Sequence, residues 1–289
     1  MTGDARQPPT WLVAGLGCVG GVAASAAATR VLLAAQARQA RTAIGKPLGE
    51  TVHAADRVYK KSHGDRIELL LLGDSIAAGL GADRPQHTLG AQLSRRVARA
   101  THRSVRLHTA AQVGAETSML RAQLAGLPAG YVPDVAVVVV GGNDVTHRIP
   151  VATSARQLVE AVEALRAVGA EVVVGTCPDL GALGAVPQPL RTLARFASRQ
   201  LAAAQQEQAP AAGARVVSLA RVVGPFFVTQ PDEMFAVDRF HPSSAGYRRT
   251  AKAMLPSVLA ALGHHDRLPF GHHAPAADGP AEVSRLRRR

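Results

Sequence analysis

Five short apolar runs, separated by stretches of helical length, constrain this chain more than any other feature. The runs are Ile67 to Leu72, Val105 to Ala110, Val135 to Val140, Glu171 to Thr176 and Arg215 to Leu219, each rich in leucine or β-branched residues. Between them, Leu89 to Ala100, Thr153 to Val168 and Leu190 to Gln208 carry helical periodicity, and Ser243 to Leu262 predicts a last helix capped by Ser243 or Ser244. Strands that alternate with helices pair in parallel, because each crossover helix returns the chain to the same end of the sheet and covers one of its faces. Leu69 to Leu72 and Val135 to Val140 are apolar at every position rather than at alternate ones, which suits central strands buried on both sides. The expectation is an α/β fold, a three-layer α/β/α sandwich around a five-stranded parallel sheet, over residues 65–262.

The flanks read differently. Trp11 to Thr29 carries no charge, and beyond the lone Arg30 the apolar character resumes through Ala37. That length suffices to cross a bilayer, so residues 1–37 are expected to form a signal or membrane-anchor segment that associates with the membrane through residues 11–37. Its Gly/Ala composition leaves a buried helix as an alternative, and Ala24-Ser25-Ala26 offers a small-residue cleavage site. Arg30, Arg38, Arg41 and Lys46 outnumber Arg6 and would hold the C-terminal side in the cytoplasm, which conflicts with simple export. Membrane anchoring or export to the cell envelope is the expectation, with the cytoplasm as the alternative. Residues 38–64 are polar and predict a linker with a short helix around Val52 to Tyr59, and residues 263–289 predict a disordered basic tail. The net charge of +12 invites a nucleic-acid reading. The arginines are spread along the chain without any nucleic-acid-reading motif, so no such partner is expected. Cys18 falls in the apolar segment and Cys177 after a strand, and the two are not expected to pair.

Three local patterns carry chemistry. The run Leu69 to Leu72 empties into Gly73-Asp74-Ser75, and in an open parallel sheet ligands sit at the carboxyl ends of the strands, where Ser75 would face them. The tripeptide alone is also what an ordinary turn uses. Strand Val135 to Val140 ends in Gly141-Gly142-Asn143-Asp144, where glycines let backbone approach a ligand and the Asn143 amide can donate to a developing oxyanion. Asp238-Arg239-Phe240-His241-Pro242 precedes the last helix. A serine hydroxyl attacks poorly until an imidazole takes its proton, and that imidazole needs a carboxylate to fix its tautomer. Three residues of separation let one loop present both groups. His147, four residues beyond Asn143, is a rival base that lacks a carboxylate at matching spacing. No phosphate-binding loop, dinucleotide fingerprint or His/Cys metal constellation is present, so neither a metal nor a cofactor is expected.

Taken together these blocks resemble the SGNH hydrolases, also called GDSL esterases and lipases, of the bacterial exported or envelope-associated type. The similarity runs from Ile67 to about Leu262: Gly73-Asp74-Ser75 with Ile76 in the usual Leu place, Gly114 after the second strand, Gly142-Asn143-Asp144 after the third, and Asp238 to His241 before the last helix, continued by Pro242, Gly246 and Tyr247. The resemblance implies a flavodoxin-like sheet, Ser75 as nucleophile, His241 as base and Asp238 as its orienting acid. It also implies an oxyanion hole made of the Ser75 and Gly114 backbone N–H groups and the Asn143 side chain. The activity implied is hydrolysis of small or medium acyl esters through an acyl-serine without a cofactor. Transfer of the acyl group to a sugar or lipid hydroxyl of the envelope, and a non-catalytic binding role on the same fold, are the alternatives. Leu180, Leu183, Val186, Phe226, Phe227, Met234 and Phe235 are candidates to hold the acyl chain or to pack as ordinary core.

Overall fold

The computed structural model describes residues 10–265 and 267–276, with the backbone alone described for residues 10–26. Seven strands form one sheet: β1 (Val58–Tyr59), β2 (Gly64–Gly73), β3 (Arg103–Thr109), β4 (Val135–Val139), β5 (Glu171–Gly175), β6 (Arg215–Val217) and β7 (His272–His273), in the order β1-β3-β2-β4-β5-β6-β7. The helices are α1 (Thr10–Ile44), α2 (Ser75–Ala78), α3 (Leu89–Thr101), α4 (Leu120–Ala125), α5 (Gly142–His147), α6 (Val151–Ala167), α7 (Leu190–Ala211), α8 (Leu219–Val222), α9 (Gly224–Thr229), α10 (Pro231–Met234) and α11 (Ser244–Ala261).

The five inner strands pair in parallel, with Leu70 beside Ala136 and Leu72 beside Val138 where β2 meets β4. Alternate side chains leave the sheet on opposite faces. Leu69 and Leu71 therefore join Val137 and Val139 in a core closed by Leu93 and Val97 of α3 and Met254 and Val258 of α11. Leu70 and Leu72 join Ala136 and Val138 in a second core closed by Leu158, Val162 and Leu165 of α6. All four leucines are fully buried, each contributing about 1.5–3 kcal/mol through transfer from water. This is the three-layer sandwich expected from the unbroken apolar runs, and its switch of connection direction between β2 and β4 opens a crevice at the carboxyl ends of the strands.

Three features differ from the sequence-based expectation. The sheet has two further, antiparallel edge strands, each two residues long and so below the length at which a periodic pattern shows. One of them, β1, lies where a short helix was expected around Val52 to Tyr59; Tyr59 is buried there, its hydroxyl donating to the Ala55 carbonyl at 2.7 Å. The other, β7, comes from the stretch expected to be a disordered tail: His272 and His273 pair with Val217 and Val216, and the His272 imidazole lies 2.7 Å from the Ser257 hydroxyl of α11. Residues 277–289 of that tail lie outside the described residues. The expected signal or anchor at 1–37 also falls largely outside them, because residues 1–9 and the side chains of residues 10–26, Cys18 included, are not described. Among the described residues no helix is long and apolar enough to cross a membrane.

Candidate active site

Gly73 ends β2 at φ +127°, and a Cβ there would stand 1.8 Å from the Val139 carbonyl oxygen, so only glycine lets β2 turn beside β4. The Asp74 N–H then donates to that same carbonyl at 3.0 Å. Asp74 caps α2 by accepting from the Ile76 N–H at 2.9 Å. Ser75 is thereby the first residue of the helix, a position whose own N–H has no intrahelical acceptor.

The loop before α11 reaches the same place from the other end of the chain. One oxygen of Asp238 accepts from the Phe240 and His241 N–H groups, each at 3.0 Å, and the other lies 2.6 Å from His241 Nδ1. His241 Nε2 is 3.0 Å from Ser75 Oγ. Asp238 and Ser75 are both buried, and the imidazole is mostly so. Burial by itself would raise the Asp238 carboxyl; the bonds it accepts from the imidazole and the two N–H groups outweigh that and hold it below the usual carboxylate range. Space for the loop comes from Gly81, where a Cβ would stand 2.5 Å from the Pro242 carbonyl and 3.2 Å from His241 Cβ. Tyr247, fully buried on α11, donates to the Leu80 carbonyl at 2.6 Å and so fastens the helix behind His241 to the segment behind Ser75.

Asn143 lies on α5, directly after β4, and its Nδ2 donates to the Ala115 carbonyl at 2.9 Å. One of its two amide hydrogens is thus used to hold the neighbouring loop and the other remains for a ligand. Gly114 sits on that loop at φ +81°, with open space where a side chain would be, and is not among the residues lining the cavity beside Ser75. The loop is held at 112 by the Gly73 carbonyl, 3.1 Å from the Gln112 N–H, and at 117 by the buried Asp144 carboxylate, 3.1 Å from the Thr117 N–H. Asp144 also accepts from the Ser154 hydroxyl of α6 at 2.7 Å.

Two glutamines that the sequence analysis passed over hold the strand ends. The Gln123 amide accepts from the Gly73 N–H at 2.9 Å and donates to the Gly73 carbonyl at 2.8 Å. Gln205 accepts from the Cys177 N–H at 2.7 Å and donates to the Val140 carbonyl at 3.1 Å, bridging the ends of β4 and β5. Each supplies, from a helix, the backbone partner that a strand loses where it leaves the sheet. His147 does have a carboxylate after all: Glu116, 31 residues away, lies 2.6 Å from its Nδ1. That pair is exposed, whereas the imidazole bonded to Ser75 is that of His241.

Beside Ser75 and His241 lies a cavity of about 80 Å³, walled by Ile76, Leu180, Leu183, Leu219, Phe227 and Phe235 among others. Of the seven apolar candidates, Leu180, Leu183, Phe227 and Phe235 face it, and Phe227 packs edge-on to Phe235 with ring centres 4.8 Å apart. Val186 and Met234 are buried in packing behind it, and the Phe226 ring carries the Arg249 guanidinium 3.9 Å above its centre.

The chain that carries this site has relatives among known proteins. Residues 71–249 match the model of the GDSL-like lipase/acylhydrolase family. A GDSL-like esterase of Mycobacterium tuberculosis is 37% identical over 265 residues, covering 88% of this chain and 84% of that protein. Among solved structures, a lipase from a goat rumen metagenome superposes with a TM-score of 0.54 at 19% identity, covering 69% of this chain and 98% of that one. A lipase/acylhydrolase from Enterococcus faecalis superposes at 0.53 with 23% identity, covering 67% and 96%. Likenesses at that identity establish the fold, while the family match spans the Gly73-Asp74-Ser75 turn and most of the sheet, and the mycobacterial likeness extends over nearly the whole chain. On those two grounds the chain belongs to the GDSL-like lipase/acylhydrolase family.

Proposed function

We propose that this chain, a carboxylic ester hydrolase, cleaves small or medium acyl esters through an acyl-serine formed at Ser75. The observation that carries the reading is the series Asp238–His241–Ser75, at 2.6 and 3.0 Å, opening on an apolar cavity. His241 Nε2 takes the Ser75 proton as Oγ bonds to the acyl carbon, and Asp238 holds the Nδ1–H and offsets the charge that the imidazole gains. The carbonyl oxygen becomes an oxyanion, stabilised by the Ser75 N–H and the free hydrogen of the Asn143 amide, with the Gly114 N–H of the adjoining loop a third donor by the family resemblance alone. Collapse expels the alcohol, which leaves with the proton held on Nε2. Water then adds to the acyl-serine, His241 taking its proton, and the acid departs with Ser75 restored.

The cavity favours a single short or medium acyl chain. Its volume of about 80 Å³ is far below the roughly 300–1,000 Å³ of pockets that enclose drug-sized ligands. The test is a panel of p-nitrophenyl esters of increasing chain length on purified protein, with Ser75→Ala as control. Turnover of the shorter esters that disappears in the variant supports the reading, and equal turnover by the variant contradicts it.

A further inference from the structure

The N-terminal helix bears on the wall of the cavity. Among the described side chains of α1, Gln36 and Ala40 are buried and Leu33, Ala37 and Ile44 half-buried, a spacing of three, one, three and four residues that selects one face of a helix. That face meets the segment between β5 and α7. The Leu190 N–H donates to Gln36 Oε1 at 3.1 Å, and Gln36 Nε2 donates to the Gln188 carbonyl. Ala40 packs in a cluster with Leu180, Leu183, Val186, Phe235 and Phe240. Of these, Leu180, Leu183, Phe235 and Phe240 also line the cavity beside Ser75. The same side chains therefore have α1 behind them and the acyl site in front.

This wall has little structure of its own. From Thr176 to Pro189 its regular element is one turn of 3₁₀-helix at Leu180–Ala182. Its first half is fixed by the Asp179 carboxylate on the Gly181 N–H at 2.8 Å and by Ser198 Oγ, which accepts from the Leu180 N–H at 3.1 Å. Its second half passes its Gln188 and Leu190 backbone groups to Gln36.

We propose that α1 sets the acyl-chain preference of the enzyme: Gln36 and Ala40 are positioning residues that hold the 180–190 wall at the distance at which Leu183 and Phe235 close on a chain. The proposal rests on the esterase reading above. A short acyl group would lie against Ser75, His241 and Asn143 and depend little on the wall. A longer one runs along Leu180, Leu183 and Phe235 and depends on where they stand.

The test uses the full-length chain with p-nitrophenyl acetate and octanoate. Gln36→Ala and Ala40→Arg should each lower kcat/KM for octanoate about tenfold, chiefly through KM, the scale at which a methylene of pocket contact discriminates. Acetate turnover should stay within about twofold of wild type. Amide exchange at Leu190 should quicken in Gln36→Ala, which a brace acting on fold stability alone would not produce selectively. Equal proportional change in both esters, or none in either, from an active wild type would overturn the proposal while leaving the esterase reading intact. A wild type inactive on both esters would overturn that reading instead and this proposal with it.

Discussion

At the residue scale, the roles assigned to the site predict a graded series of losses. Asp238→Asn keeps the shape but removes the charge that fixes the imidazole tautomer, and should lower kcat about 10⁴-fold. Asn143→Ala removes one oxyanion donor and should lower kcat about 10² to 10³-fold with KM little changed, since the donor bonds best to charge present only in the transition state. Steady-state kinetics on one ester reads both. His147→Ala should keep kcat within about threefold, because an exposed His–Glu pair contributes little. Asp74 makes a prediction about stability. Burial raises its carboxyl from 3.8 to about 6, with the Asp144 charge adding to the rise and the Ile76 N–H and His241 opposing it. The folded state thus holds this proton more tightly than the unfolded chain, so the contribution is fully present below about pH 4 and is lost as pH rises through 6. Denaturant unfolding of Asp74→Asn should show a gain over wild type that grows by about 2 kcal/mol between pH 4 and 7, and a gain independent of pH would contradict the assignment. Asp238 has the opposite sign in both proteins and cancels in the difference. The parts of the Ser75, Asp238 and His241 grouping were visible in the sequence as a strand-ending serine and an Asp and a His three residues apart, but each alone fits an ordinary turn or cap, and what joined them was the resemblance to the SGNH hydrolases. Glu116 was not visible as a partner, since nothing in local spacing points to His147 across 31 residues.

At the element scale, the carboxyl ends of the strands are held by side chains as much as by backbone. Gln123→Ala would leave the buried Gly73 N–H without a partner, at a cost of about 1–3 kcal/mol, and the Gly73 carbonyl with the Gln112 N–H alone. We expect a lower midpoint of denaturant unfolding together with a fall in kcat, because the turn left unsupported is the one that presents Ser75. Unchanged kcat in a destabilised Gln123→Ala protein would separate the clamp from catalysis. A glutamine in an amphipathic helix has the same sequence signature whether it faces water or a strand end, which is why Gln123, Gln205 and Gln36 were not seen. Strands β2 and β4 were legible because each buries five apolar side chains, and β3, β5 and β6 because shorter alternating or β-branched runs recur between stretches of helical length. Strands β1 and β7 were not, because two residues make no pattern. The stretch from Val52 to Tyr59 was read as a helix, yet what decides its form is the antiparallel pairing of Val58 and Tyr59 with β3, a tertiary contact.

At the scale of the whole molecule, the crevice exists because the chain passes from β2 to β3 on one side and then from β3 to β4 on the other side of β2, and the loops after β2, β3, β4 and β6 bring the groups of the site to its rim, the last of them carrying both Asp238 and His241. The residues from Gly73 to His241 thereby span most of the sheet's sequence and meet within hydrogen-bonding distance. The apolar runs made that architecture readable; the docking of α1 on the cavity wall was not, because it depends on one face of a helix whose composition suggested a different use. Ser75 is proposed here as the nucleophile, activated by His241. This assignment is tested most directly by treating the full-length protein with a fluorophosphonate ester and locating the adduct by peptide mass spectrometry. One adduct is expected, on Ser75, absent in Ser75→Ala and formed much more slowly in His241→Ala. Labelling of another residue, or of Ser75 at an undiminished rate without His241, would contradict it.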